Sequence, residues 1–267
     1  MDLTTAAIVC AVRAHGEHGA VVRLLTPGHG LLAGYVRGGR SRRLRPVLQP
    51  GNGVRARLVA RVDSQLAAAT VELERARTVV ALTALGGAGL EWLTALTTTA
   101  LTEGEAHPRL YEALDGLLEA MALGAAPARW LAGLVQYELM LLAELGFGLD
   151  LTSCAATGAV AELVYVSPKS AQAVSRGAGE PYKAKLLALP GFLTVSAAAS
   201  PPRFGRESKN SSSSPVLPDL LAGLRLTGHF LARDVLTGRA AELLAARARL
   251  AGLVAALPPV ETDTNSH

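Results

Sequence analysis

Nine arginines lie between Glu17 and Asp63 with no lysine and no carboxylate among them: Arg23, Arg37, Arg40, Arg42, Arg43, Arg45, Arg55, Arg57 and Arg61. A stretch carrying one sign of charge sets up a positive potential that anionic partners feel at a distance. The planar guanidinium forks onto phosphate oxygens and stacks on bases, whereas an ammonium acts as a point charge. The chemistry these residues suit is therefore non-covalent recognition of a phosphate polyanion.

The whole-chain charge of +4 hides this asymmetry. Residues 1–80 hold 12 Arg against five carboxylates, and the remaining residues are mildly acidic. Such a split suggests two modules with different tasks, and 267 residues suffice for two domains of ordinary size. Half the residues are hydrophobic and only 4% are aromatic, which favours helices packed through alanine and leucine. Two distant cysteines, Cys10 and Cys154, make no disulfide framework, and Met1 to Thr5 lacks a signal-peptide pattern. A cytoplasmic protein is expected. Residues 78–102 contain Glu91 as their one charge, but Gly86-Gly87 and seven threonines interrupt them, so a buried helix pair is expected rather than a membrane span.

The basic segment must be positioned by strands. Ala6, Ile8, Cys10 and Val12 recur at every second position, the period of a half-buried strand. Ala20 to Leu25 and Leu31 to Val36 follow, separated by His15-Gly16 and by Pro27-Gly28-His29-Gly30. In 53–62, Val54, Ala56, Leu58, Ala60 and Val62 alternate with Arg55, Arg57, Val59 and Arg61, so one face is buried while the other presents guanidiniums. A fifth strand runs from Ala68 to Leu73. Five short strands in this length predict an OB-fold barrel over 1–78. The loop Gly38-Gly39-Arg40-Ser41-Arg42-Arg43-Leu44-Arg45-Pro46 crowds four arginines into six residues. Arg37, Arg40, Arg42, Arg43, Arg45, Arg55, Arg57 and Arg61 are the candidate nucleic-acid-binding residues. With Tyr35 the lone aromatic of residues 1–80, phosphate contact should dominate over stacking, giving steep salt dependence and weak sequence preference.

From Leu90 the period shifts towards 3.6, predicting helices over Leu90–Glu105, Pro108–Leu123 and Ala128–Gly146, with Pro108 and Pro127 in first turns. Trp130 and Tyr137 read as packing residues. Glu103, Glu105, Glu112, Asp115 and Glu119 read as a solvated face. Residues 163–175 read as a hairpin with a Ser-Pro-Lys turn, followed by a short helix over Pro181–Leu189. Residues 197–218, with Ser211 to Ser214 in a row, read as a flexible linker. A helical pair over Pro218–Leu236 and Arg239–Leu257 closes a domain spanning 79–258, and 259–267 is a disordered tail. The expected class is α+β: an all-β OB-fold barrel, then a mostly α-helical domain with a small β-hairpin insertion.

Catalytic signatures are missing. There is no Gly-x-Ser-x-Gly elbow, no phosphate-binding Gly-x-x-x-x-Gly-Lys and no paired-histidine metal motif. No catalytic residue is assigned and a non-enzymatic role is expected.

Three blocks resemble the RecO family of bacterial recombination mediators. The first is Leu24-Leu25-Thr26-Pro27-Gly28-His29-Gly30 with Val36-Arg37-Gly38-Gly39-Arg40-Ser41-Arg42-Arg43 and Leu48-Gln49-Pro50-Gly51. The second runs from Tyr137-Glu138-Leu139 through Leu145-Gly146-Phe147 to Leu151-Thr152-Ser153-Cys154-Ala155-Ala156-Thr157-Gly158. The third is Tyr165-Val166-Ser167-Pro168-Lys169, ending at Leu186-Leu187-Ala188-Leu189-Pro190. The resemblance implies binding of single- and double-stranded DNA, annealing of complementary strands and, with RecR, help in loading RecA onto DNA coated by single-stranded-DNA-binding protein. It implies a cytoplasmic, nucleoid-associated protein with no membrane or small-molecule partner.

Many members of that family carry two Cys-x-x-Cys pairs that hold zinc. Here Thr157 stands three residues after Cys154 and no other cysteine is near, so 147–195 is expected to be a degenerate zinc-finger-like insertion without its metal. Members also dock the acidic, Phe-ended tail of single-stranded-DNA-binding protein on the helical domain. Arg225 and Arg233, on one face of a helix, are the candidates for that contact. Two other readings use the same barrel: an RNA-binding or translation-associated OB protein, since nothing in the arginines tests for a 2′-hydroxyl, and a scaffold whose basic head meets acidic protein or anionic lipid.

Overall fold

The computed structural model describes residues 1–62, 65–194 and 215–258. Two units form, one spanning Met1–Ala125 and the other beginning at Ala126. Among the described residues no helix is long and apolar enough to cross a membrane.

In the first unit, β1 (Asp2–His15), β2 (Gly19–Thr26), β3 (Gly30–Val36), β4 (Gly53–Val59) and β5 (Ala67–Arg75) close a barrel in the order β1-β2-β3-β5-β4. Every pairing is antiparallel except β3 with β5. The alternation read from the sequence is what places the side chains. Val54, Ala56 and Leu58 point into the core with Val9, Val22, Leu24 and Val71, while Arg55, Arg57 and Val59 face outward. Strand β1 departs from that pattern. Ala7 to Cys10 are all buried, because α1 (Ala84–Ala100) packs against the strand and covers its second face. Burial there pushes the Cys10 thiol up to about 12, so it stays an inert thiol.

Two further elements complete the unit: a 3₁₀ turn over Thr78–Leu82, and α2 (Pro108–Ala122), which starts on the expected proline. Residues 78–102 are thus one short turn and one helix, with Gly86 in the first turn of α1 rather than between two helices. The segment between α1 and α2 is stapled to β3. Leu31 bridges Glu103, and Gly104 donates its N–H to the Leu31 carbonyl at 3.0 Å. Gly30 sits at φ +62°, and a Cβ there would fall 1.7 Å from the Glu105 carbonyl oxygen, so only glycine fits.

The acids of this region are not a uniform solvated face. Glu105 and Glu112 are exposed. Glu103, however, pairs with Arg23, and Asp115 and Glu119 hold the guanidinium of Arg77, which is only 1% exposed. Arg77 also donates to the Gly51 carbonyl at 3.3 Å, and Arg75 reaches Asp115 at 2.6 Å. Asp115 and Glu119, four residues apart on α2, share one face of that helix, which the sequence reading took as solvated. That reading could not show that the barrel's last strand delivers two cations to that face.

The second unit holds α3 (Pro127–Glu144), β6 (Leu163–Val166), β7 (Ala173–Ser175), α4 (Arg176–Gly179), β8 (Leu187–Ala188), α5 (Gly191–Thr194), α6 (Leu217–Phe230) and α7 (Leu243–Ala255). The expected hairpin is β6 and β7, antiparallel around Ser167-Pro168-Lys169, with β8 as a third strand on β6. The expected helix over Pro181–Leu189 is instead a 3₁₀ helix, Glu180–Lys185, running into β8. Leu187 pairs with Val166, and that sheet pairing ends the helical turn. Helix α6 begins at Leu217, inside the stretch expected as linker. The rest of that stretch, to residue 214, and the expected disordered tail from 259 lie outside the described residues. Past Phe230 the helix widens into a π turn, Leu231–Val235.

A buried polar cluster ties this unit together. Glu138 on α3 is fully buried and accepts two hydrogen bonds at 3.0 Å from Arg247 on α7. Thr227 on α6 donates its hydroxyl to the same carboxylate. Trp130 and Tyr137 are core residues, as their placement in an amphipathic helix implied.

Candidate nucleic-acid interface

The chain between β3 and β4 is not a free loop. Leu44, Val47 and Leu48, spaced as on one helical turn, pack against the barrel core. Backbone bonds from Arg45 N–H to the Ser41 carbonyl and from Leu48 N–H to the Leu44 carbonyl, each 2.9 Å, give it helical turns. With three apolar side chains turned inward, the arginines between them are left outside. Arg37, Arg42, Arg43 and Arg45 are exposed and make no ion pair or hydrogen bond through their side chains among the described residues. Arg40 is different. Its guanidinium donates to the Glu17 carbonyl at 3.0 Å and to the Gly16 carbonyl at 3.5 Å, pinning the segment to the β1–β2 turn.

Asn52 anchors the far end. It is fully buried, donates its side-chain amide to the Pro46 and Val47 carbonyls, and accepts the Arg77 N–H at 2.9 Å. Asn52→Ala should cost about 1–3 kcal/mol in denaturant titration, because buried groups lose their partners. It should also speed amide exchange at Arg45 and Leu48. Unchanged exchange at those two amides would show that the apolar anchors alone hold the segment.

The arginines on β4 have a different environment. Arg57 forks onto Asp2 at 2.7 and 3.0 Å, and this hydrogen bond holds the Asp2 carboxyl below its ordinary range. Arg55 donates to Glu74 at 2.7 Å. Arg61 is exposed just past the strand. Of the eight candidate arginines, the segment after β3 keeps its charge open, whereas β4 offers guanidiniums already shared with carboxylates.

Register adds a residue the sequence reading did not select. Arg13 on β1, Val21 on β2 and Tyr35 on β3 stand side by side across the sheet. Arg13 is exposed and makes no ion pair among the described residues. The Tyr35 ring lies over Gly19, where a Cβ would come within 2.4 Å of it, and meets His15 edge-on at 5.7 Å. Arg13 and Tyr35 therefore extend the basic segment onto the face of strands two and three, the usual ligand-binding face of an OB fold. The signal was present in the sequence as an outward-phased position two residues before His15, but an isolated arginine carried no weight without its neighbours.

In the second unit, Arg225 is exposed on α6. Arg233 lies in the π turn, forks onto Asp234, stacks over the Phe230 ring at 4.7 Å and donates to the Pro168 carbonyl at 2.6 Å. It clamps the β6–β7 turn, and His229 approaches the same carbonyl at 3.3 Å.

In the segment expected to be a degenerate finger, Cys154 is 2% exposed. Its sulfur accepts the Ser175 N–H at 3.2 Å. Hydrogen bonds from the side chain and backbone of Ser175 and from the Thr157 side chain hold the thiol down to about 6, against the opposing effect of burial. Zinc needs four Cys or His ligands, and among the described residues no three His, Cys, Asp or Glu converge on any point.

The architecture is that of an OB-like five-stranded barrel followed by a helical region with a small sheet, an α+β chain. Comparison with known proteins sharpens this. The family model for the N-terminal part of recombination protein O matches residues 1–76, and the model for its C-terminal part matches residues 84–237. Among curated relatives, the DNA repair protein RecO of Rhodospirillum centenum is 45% identical over 252 residues, 93% of each chain. That of Rhodopseudomonas palustris HaA2 is 45% identical over 241 residues, 90% of each. That of Caulobacter vibrioides NA1000 is 43% identical over 236 residues, 88% of this chain and 90% of the relative. The chain belongs to the recombination protein O family.

Proposed function

We propose that this chain is a DNA-binding recombination mediator in the repair of breaks and gaps, acting without covalent chemistry and without zinc. Family membership and the relatives' names support a role in DNA repair and recombination. The observation that carries the mechanism is the set of exposed guanidiniums Arg37, Arg42, Arg43 and Arg45, without an ion pair or hydrogen bond among the described residues, on a segment that Leu44, Val47 and Leu48 anchor to the barrel core. Guanidiniums that keep their charge neutralise phosphates and release counterions, the main source of sequence-independent affinity. Two strands neutralised on one surface repel each other less, and complementary bases meet at higher local concentration. Annealing follows from screening and proximity alone. Single- and double-stranded DNA, RecR and the C-terminal tail of single-stranded-DNA-binding protein are the partners of this reading, in the bacterial cytoplasm at the nucleoid.

The test is annealing of complementary oligonucleotides pre-coated with the organism's own single-stranded-DNA-binding protein. The wild-type protein should accelerate it, and Arg42→Ala/Arg43→Ala/Arg45→Ala should abolish most of the acceleration while keeping the far-ultraviolet spectrum and melting temperature. No acceleration by the wild type would overturn the mediator reading. Acceleration untouched by the triple variant would move the surface elsewhere.

A further inference from the structure

The barrel is poor in stacking groups, and the second unit supplies one. The 3₁₀ helix Glu180–Lys185 projects from the degenerate finger with Pro181, Tyr182, Lys183, Ala184 and Lys185 all exposed. In a 3₁₀ helix, side chains three apart eclipse. One such pair is seen directly: Lys183 binds Glu180 at 2.7 Å, and the Tyr165 hydroxyl donates to the same carboxylate at 3.1 Å. The one acid of the turn is thereby neutralised. Tyr182 and Lys185 form another eclipsed pair. Tyr182 is 63% exposed, and neither it nor Lys185 makes a hydrogen bond or ion pair among the described residues. Arg176, also exposed, opens the short α4 that runs into this turn. The composition points the same way: the first lysine of the chain is Lys169, and three of its four lysines, Lys169, Lys183 and Lys185, lie in this finger.

An exposed aromatic ring three residues from an exposed lysine on one 3₁₀ turn offers a stacking face and a cation to the same ligand. We propose that the Tyr182–Lys185 edge is a second contact for single-stranded nucleic acid, with Tyr182 stacking on a base and Lys185 holding the adjoining phosphate. The degenerate finger then serves as a stacking platform, complementing the phosphate-binding barrel. This inference rests on the nucleic-acid reading above.

The experiment uses the full chain and single-stranded oligothymidylate, with one strand carrying 5-iodo-deoxyuridine for photocrosslinking and peptide mapping. Crosslinks are expected on Tyr182. Tyr182→Ala/Lys185→Ala should weaken oligothymidylate binding roughly tenfold and flatten the salt dependence by about 0.7 in log–log slope, one single-strand phosphate contact. Tyr182→Phe should retain wild-type affinity, since stacking needs the ring and not the hydroxyl. Unchanged affinity and slope in the double variant, with no crosslink in 176–185, would overturn the inference and leave the barrel reading intact, provided the Arg42/Arg43/Arg45 variant still binds weakly. A double variant that keeps oligothymidylate affinity but loses an acidic, aromatic-ended peptide would also overturn it, in favour of a protein partner. Failure of the wild type to bind oligothymidylate at all would remove both readings together.

Discussion

Arg77→Met should lower the stability of the first unit by about 3 kcal/mol, a drop of roughly 10 °C in melting temperature. The guanidinium is 1% exposed and reaches Asp115 at 2.8 Å, Glu119 at 2.9 Å and the Gly51 carbonyl. Removing it leaves Glu119 without its counter-charge and Asp115 with Arg75 alone, in a partly buried site. The estimate stays at the low end of the range for broken buried pairs because Asp115 is 19% and Glu119 40% exposed, so water relieves part of the loss. Arg77→Lys should recover little, since one ammonium cannot fork between two carboxylates. Arg77→Met/Asp115→Asn/Glu119→Gln should recover a large part, because the stranded charges go with their partner. A loss below about 1 kcal/mol in the single variant would mean that the acids are hydrated as a surface pair would be.

The second large effect concerns binding. For duplex DNA each phosphate contact contributes about 0.9 to the slope of log affinity against log salt. Arg42→Ala/Arg43→Ala/Arg45→Ala removes three open cations and should flatten the slope by roughly 2–3, weakening binding about 100-fold near 0.1 M salt. Arg55→Ala/Arg57→Ala removes two cations that Glu74 and Asp2 already share. Its slope should change by less than about one. Fluorescence anisotropy across a salt series checks both. Equal flattening by the two variants would show that DNA strips the β4 arginines from their acids, and the interface would then wrap the barrel. The comparison leaves Arg40 in place, because its hydrogen bonds to the Gly16 and Glu17 carbonyls hold the segment's shape.

Sequence alone determined the barrel strands, because a strand with one face in a core writes its burial at every second residue. Val54, Ala56 and Leu58 against Arg55, Arg57 and Val59 is that pattern, and the structure buries and exposes those residues accordingly. It also determined the starts of α2 and α3, since proline at 108 and 127 suits a first helical turn. The concentration of arginine after β3 needed no fold to be seen. Tertiary structure decided which of those arginines are already paired with carboxylates. Asp2 stands 55 residues from Arg57, and only the β1–β4 register brings them together. Arg77 and Asp115 are likewise joined by the docking of a strand end on a helix. Glu138, Arg247 and Thr227 converge from three helices on a point that no local pattern marks. A charge's environment depends on everything within a few ångströms of it, while sequence patterning reports only what recurs along one element. The elements were therefore legible from the residues, and the pairing of their charges was not.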